Sequence, residues 1–386
     1  MSLRERVLTE LKERRLKVIN GNINCIPSPF GRFRDDFLGI EKGRYYLVSA
    51  GPKTGKTQFA NYTFVYSPLI YAFLNPGKIK LKIFYYPLEE TKEEIILRFM
   101  CYLLYELSNK AIRISPMELK SSNETKLLPE EILNLLETDQ YTDILNFFEE
   151  TVIFKESTNP TGIWKDMLEY AKHNGQVHYK DFESVDKNTG EITTKKAFDY
   201  YEANDPDEYV LIIVDHISLI GLERGMSLRE SINKLSEYAV QLKNKYNYSP
   251  VIIQQQSSET QSLDAFKSSK IKPTVNGLAD SKYTARDCSV YLGLTNPYVH
   301  EIPNYYNYDI TKFKNHFRLL EVIVNRFGNS NGTIGLYFDG ATNYFAELPK
   351  PDDLTGLQKV YRMMENLTIK TNKLLFLFSQ ILKKGK

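Results

Sequence analysis

Eight consecutive residues, Ala50-Gly51-Pro52-Lys53-Thr54-Gly55-Lys56-Thr57, have the types and spacing needed to hold a polyphosphate. They fit the glycine-rich P-loop pattern, with Ala50 at the first position where glycine is commoner. Gly51 and Gly55 let the chain curl so that backbone N–H groups converge as an anion nest. A helix starting near Lys56 adds its positive N-terminal end. Lys56 supplies a cation for the β- and γ-phosphates, and the Thr57 hydroxyl a ligand for Mg²⁺. The apolar run YYLVSA (45–50) before the loop and the helical pattern after it give the strand–loop–helix setting the motif requires. The ligands expected are therefore ATP and Mg²⁺.

Such a site also needs a carboxylate on a neighbouring strand to hold the metal. The apolar run LIIVD ends in Asp215, which takes that role, capping of the next turn being the plainer alternative. Hydrolysis needs a group that orients water. Glu89 and Glu90 close the run YYPLEE, and a carboxylate there faces the γ-phosphate from the strand beside the P-loop; Glu89 is the candidate base. An acid favoured by the positive end of the following helix is the other reading of this pair. His216, directly after Asp215, reads as structural.

These groups need strands and helices to carry them. Apolar runs at 45–50, 82–89, 150–157, within 208–220, and at 249–257, 288–295 and 318–327 read as strands, and 91–107, 163–173 and 227–246 as helices. Thr91 and Glu94 form a capping box at the start of 91–107. The alternation predicts an α/β fold: a mostly parallel central sheet flanked by helices. Two segments interrupt it, a polar helical insertion near 108–148 and one near 176–206 that reads as an exposed hairpin of short polar strands around VDKNTGEITTKK. An amphipathic helix over 2–18, within an N-terminal linker segment 1–20, would dock on its own domain or on a neighbouring subunit. The motor domain spans 21–349, and a helical tail follows over 350–386.

Composition sets few limits. The 386 residues are 42% hydrophobic and 25% charged, with a formal net charge of +2, as in ordinary globular proteins. The three cysteines, Cys25, Cys101 and Cys288, lie far apart, so neither a disulfide framework nor a zinc site is expected. The start MSLRERVLTELKERR lacks the apolar core of a signal peptide, and no stretch approaches the ~18 apolar residues of a membrane span. A cytoplasmic location follows as the expectation.

The order AGPKTGKT, YPLEETKEEIILRFM, LIIVDHISLI, VIIQQQS, NRFGNSNG resembles the RecA-like motor domain of DnaB-type hexameric replicative helicases, from about Pro27 to Leu348. The resemblance implies a RecA-like P-loop NTPase fold and assigns further roles. Glu89 matches the catalytic glutamate of the family's S-L-E-M segment, although Pro87 and Glu90 replace its serine and methionine. The strand-ending glutamine that couples the γ-phosphate to the DNA loops falls on Gln256, with Gln255 one register away. The arginine finger that acts on the adjacent subunit's nucleotide falls on Arg326, while a nearby family lysine is replaced by Val324. Nucleic-acid contacts would come from the loops between Gln256 and Asp287, with Lys267, Lys270, Lys272, Asp280, Ser281 and Lys282 as candidates and Arg286 beside them. Glu259 stands where the family has an arginine. The 2–18 helix would correspond to the family's linker, and little precedes it that could be the helical collar, as in a compact phage helicase, whose place would be the host cytoplasm.

The first reading is thus a homo-hexameric ring that hydrolyses ATP to move along single-stranded DNA and unwind duplex, with primase or other replisome proteins as partners. The rival is a RecA-like ATPase whose nucleotide state controls assembly without unwinding: a recombinase, a loader or a clock-type ring. A nucleotide-binding scaffold is the third, against which the intact set Lys56, Glu89 and Asp215 argues.

Overall fold

A computed structural model describes residues 3–185, 192–257 and 271–365. Helix α1 (Leu3–Ile19) is followed by a small antiparallel pair, β1 (Ile26–Pro27) and β2 (Gly39–Ile40). Strand β3 (Tyr46–Ala50) enters the glycine-rich loop. Helix α2 (Lys56–Asn61) leaves it and continues through a π-helical turn (Tyr62–Tyr66) into α3 (Ser67–Leu74). Strand β4 (Lys80–Pro87) precedes α4 (Lys92–Leu107). Helices α5 (Pro116–Leu119), α6 (Glu130–Leu136) and α7 (Asp139–Thr151) follow, then β5 (Val152–Phe154) and α8 (Pro160–His173). A long hairpin, β6 (Gly175–Val185) with β7 (Ile192–Ala203), leads to β8 (Glu208–Asp215), α9 (Leu228–Tyr246), β9 (Ser249–Gln255) and β10 (Val290–Thr295). After the short pair β11 (Asn304–Tyr305) and β12 (Tyr308–Asp309) come β13 (Phe317–Asn325), β14 (Thr333–Asp339) and β15 (Tyr344–Glu347), and residues 354–365 are helical.

Among the described residues nine strands form one sheet, in the order β15-β14-β13-β10-β3-β9-β8-β4-β5. From β10 to β5 every pairing is parallel; β13, β14 and β15 extend the other edge antiparallel. Successive side chains of a strand point to opposite faces, and the apolar runs sort accordingly. Val48, Ile83, Tyr85, Leu211, Ile213, Val251 and Ile253 pack on the face that carries α2, α3 and α4. Leu47, Phe84, Tyr86, Ile212, Val214 and Ile252 pack on the other, against α8 and α9. Burial on both faces is why these strands read as continuous apolar runs rather than alternating ones. The α4 capping box forms as the sequence predicts, Thr91 and Glu94 each accepting from the other's backbone N–H.

Several expectations change. The run 150–157 yields only the three residues of β5, because Tyr141, Ile144 and Phe148 continue a buried helical stripe and α7 extends to Thr151. The strands of the 176–206 hairpin are long rather than short, and Val177, Phe198 and Tyr201 at its base pack against the α8–α9 layer. Strands β14 and β15 went unread in the sequence. Gly335 interrupts the apolar run of β14, and it is needed there: a Cβ at that position would meet the Tyr308 ring at 2.7 Å. Helix α1 touches its own domain through polar contacts, Arg14 to Glu41 at 2.8 Å and Lys17 to Asp207, while Val7, Leu8, Leu11 and Leu16 stay exposed.

An ionic fork helps tie the 108–148 segment to the sheet. Arg113 donates to both carboxylate oxygens of Asp339, at 2.6 and 2.7 Å, and Asp339 is fully buried at the end of β14. Arg113→Ala leaves that carboxylate buried without a counter-charge and should lower stability by about 3 kcal/mol, whereas pairing Arg113→Met with Asp339→Asn should recover most of the loss. Denaturant unfolding midpoints of wild type and the two variants check this.

Candidate active site

The P-loop sits at the C-terminal end of β3, the middle strand of the sheet, where α2 begins. Gly55 adopts φ +94°, a left-handed conformation that glycine enters without strain, and Lys53 also has positive φ, at +55°. The loop thereby turns back on itself, and Gly55 serves as N-cap of α2.

Strand parity brings the metal-binding candidates together. Asp215 follows Leu211 and Ile213 on the α2 face of β8, and Tyr85 lies on the same face of β4 beside it. Thr57 Oγ1 donates to Asp215 Oδ1 at 3.1 Å, and the Tyr85 hydroxyl lies 3.3 Å from Asp215 Oδ2 and 3.0 Å from Asn61 Oδ1. Asp215 is only 2% exposed. Burial pushes its carboxyl up to about 7, against the opposing pull of Lys56 and the Thr57 hydrogen bond, with Glu89 and Glu90 adding to the rise. A buried carboxylate beside a hydroxyl is a hard-oxygen pair, which fits Mg²⁺ held by few protein ligands and completed by phosphate and water. Among the described residues no cluster of three or more His, Cys, Asp or Glu could hold a metal alone.

Glu89 lies at the mouth of this site, its side chain 45% exposed, with Lys56 Nζ at 3.9 Å and His216 Nε2 at 3.4 Å from Oε2. Burial, with the Lys56 charge, lowers the His216 pKa, so the imidazole is neutral near pH 7. Glu90 is engaged elsewhere: Arg98 of α4 grips it with two hydrogen bonds, at 3.2 and 2.7 Å. Of the two adjacent acids, Glu89 is the one facing the P-loop lysine.

The glutamines divide by face. Gln255 shares the α2 face with Val251 and Ile253. Gln256 points the other way, is 2% exposed, and donates to Ser49 Oγ and the Tyr291 hydroxyl, both at 2.8 Å. Its Oε1 accepts from the Thr274 N–H at 3.2 Å. It also lines a small recess with Gly51 and Thr54. Gln256 thus ties the P-loop strand to the chain that follows 258–270. Gln254 was not singled out in the sequence, yet it bonds the carbonyls of Ala279 and Ser281 and the Thr284 hydroxyl, holding the 279–284 turn.

Of the nucleic-acid candidates, Lys267 and Lys270 lie outside the described residues. Lys272 is paired with Glu321 of β13 at 2.7 Å. Ser281 is buried, its hydroxyl on Asn233 at 2.6 Å, and Asp280 accepts from Ser218 at 2.7 Å. Lys282 is exposed, with only Asn276 at 3.4 Å. The structure brings these four to the same end of the sheet as the P-loop, but Lys272, Asp280 and Ser281 are already engaged.

Arg326 is at the opposite end. Ala50, at the P-loop, pairs with Leu294, whereas Asn325 pairs with Val290, which pairs with Tyr46. Four residues of strand, about 13 Å, separate those levels. The Arg326 guanidinium is exposed and folded onto the carbonyl oxygens of Arg286 and Cys288. Other cations surround it: Arg44 lies over the Phe327 ring, and burial together with Arg326 and Arg44 depresses the Lys243 pKa.

No protein-family model and no curated protein matches the chain. Solved structures do. The ATPase domain of a phage helicase aligns at a TM-score of 0.63 and 15% identity, covering 90% of this chain and 99% of that one. A DnaB-like replicative helicase, solved in a study that also describes its interactions with primase, aligns at 0.59 and 16%, covering 90% of this chain and 67% of that one. The chain has the fold of the DnaB-type helicase motor domain. At these identities the likeness establishes the RecA-like architecture, and the chemistry rests on the residues themselves.

The Asp215 environment gives a pH test. In the folded apo protein its pKa is about 7, above the ordinary 3.8, so the folded state binds the proton more tightly. That contribution is full below the ordinary value and is lost as pH rises through 7. Asp215→Asn should therefore gain thermal stability relative to wild type between pH 5 and pH 8, and saturating Mg²⁺ and ATP should close the gap at pH 8. Melting temperatures at the two pH values decide it.

Proposed function

We propose that this chain is the motor of a ring-forming, ATP-driven DNA helicase that advances along single-stranded DNA. The observation that carries the reading is the split between the two ends of the sheet. Lys56, Thr57, Asp215 and Glu89 converge at one end, and Arg326 lies at the other, beyond reach of its own P-loop. A head-to-tail ring sets the Arg326 end of one chain against the P-loop end of the next.

In this reading the P-loop amides and Lys56 bind the ATP phosphates, Lys56 turning from Glu89 to the nucleotide. Thr57 and Asp215 would hold Mg²⁺, which would supply positive charge against the phosphates. Glu89, released by Lys56 and flanked by neutral His216, orients the attacking water. Arg326 leaves its backbone carbonyls for the neighbour's γ-phosphate, where such a finger contributes about 10³–10⁵ in rate. Val324, in place of a lysine, leaves that contact to the arginine alone. Gln256 passes the state of the P-loop strand to Thr274 and so to the 258–286 segment, which grips the DNA backbone with Lys282, Lys267 and Lys270. Backbone contact predicts strong salt dependence and weak sequence preference. A homo-hexamer, a primase contact and exposed α1 docked on the adjacent subunit complete the proposal.

ATP turnover should rise on adding single-stranded DNA and steeply with protein concentration. Arg326→Ala should cut it about 10³-fold without weakening ATP binding, and Glu89→Gln should do the same. Strand separation on a forked duplex should accompany turnover. Hydrolysis indifferent to DNA and to Arg326→Ala, with no unwinding, would instead favour the nucleotide-controlled assembly ATPase.

A further inference from the structure

Arg318, at the start of β13, has no part in the chemistry above. Its side chain is 1% exposed, and no carboxylate among the described residues forms a salt bridge with it. Nε donates to the Thr54 carbonyl oxygen, inside the P-loop, at 2.6 Å. Nη1 donates to the carbonyl oxygens of Asn315 and Phe317, at 2.8 and 2.7 Å, and Nη2 lies 3.4 Å from Asn315 Oδ1. The guanidinium carbon stands 4.7 Å from the centre of the Phe338 ring. That ring in turn lies 3.4 Å from where a Cβ on Gly55 would be. Arg318 and Phe338 together form the floor beneath the Thr54–Gly55 peptide.

We propose that Arg318 is a positioning residue for the P-loop, fixing the Thr54–Gly55 peptide in the orientation that receives a triphosphate. The inference rests on the nucleotide-site reading. A trans peptide is planar, with its C=O and N–H pointing in opposite directions. Holding the Thr54 oxygen down on Arg318 therefore turns the Gly55 N–H up, toward the open side of the loop where α2 begins. A guanidinium suits this role because its rigid fork reaches several carbonyl oxygens at once while its flat face stacks on a ring, which an ammonium cannot do. Its charge acts as well. Burial lowers the Arg318 pKa to about 9, so the group remains a cation at neutral pH. A buried cation without a counter-charge is costly, and a polyphosphate bound just across the loop supplies the opposite charge in a poorly screened setting.

The test compares wild type, Arg318→Lys and Arg318→Met as full-length chains, with MgATP affinity measured by calorimetry and folding by thermal melts. Folded Arg318→Met should bind MgATP at least about tenfold more weakly, with Arg318→Lys in between, and the nucleotide-induced rise in melting temperature should shrink in step. The KM for ATP should rise more than kcat falls. A purely structural role would lower the melting temperature and leave the affinity of folded molecules unmoved. Wild type that fails to bind MgATP would remove the nucleotide reading itself. Wild type that binds, with folded Arg318→Met within about twofold of it, would overturn this inference alone. Should Arg318→Met not fold, Arg318→Lys decides: it keeps the charge but loses the fork, and its Gly55 amide should exchange with solvent faster than in wild type. Unchanged exchange together with unchanged affinity would overturn the proposal.

Discussion

Asp215 ends a strand that is buried along almost its whole length, and its carboxylate meets two hydroxyls. Much of the surrounding architecture follows from that placement. The strand must be central for the carboxylate to be dry, so helices must cover both faces of the sheet. The P-loop strand must lie close by, so that Thr57 and Lys56 reach the same point; β9 alone separates β8 from β3. Lys56 stops short of a direct ion pair with Asp215 and leans toward Glu89 at 3.9 Å.

Parity explains why so much of this was legible in the sequence. A period of two assigns each strand residue to a face without knowledge of the partner strand. The run ending in Asp215 could therefore be placed beside the P-loop once the strand–helix alternation was recognised, and Glu89, two residues past the end of β4, follows from the neighbouring run. The capping box at Thr91 and Glu94 was legible for a similar reason, since its partners are three residues apart. Contacts closed over long sequence separations were not legible. Arg318 and Glu321 are charges inside an apolar run, RLLEVIV, and such interruptions signal buried partners. Nothing local says that those partners are Thr54, 264 positions away, and Lys272. Tyr85 read as one apolar residue among several, because only the fold brings its hydroxyl to Asp215.

The segment after β9 shows how a backbone can be held by side chains where the ladder gives out. Gln254 and Gln256, two residues apart, face the same way and clamp different stretches: the 279–284 turn and the chain at Thr274. Lys272 adds a third anchor through Glu321 on β13. In the proposed motor these anchors frame the DNA-contacting segment, so a change at the P-loop strand reaches it through Ser49, Gln256 and Thr274. Some cations that look available in the sequence are spent on this framing, and grip on a phosphate backbone falls to those beyond it.

Strand β13 carries Arg318 at one end and runs directly into Arg326 at the other; it pairs with β14 over Phe317–Glu321 and with β10 from Leu319 to Asn325. Their Cα atoms are separated by roughly 26 Å of extended chain at about 3.3 Å per residue. In the proposed ring the first end supports the chain's own nucleotide and the second touches the nucleotide next door. Within that ring the continuous backbone of β13 would link the two: tilting the sheet to tighten one pocket would withdraw or advance the arginine in the other. The firing order of neighbouring subunits would then be written into the stiffness of a single strand.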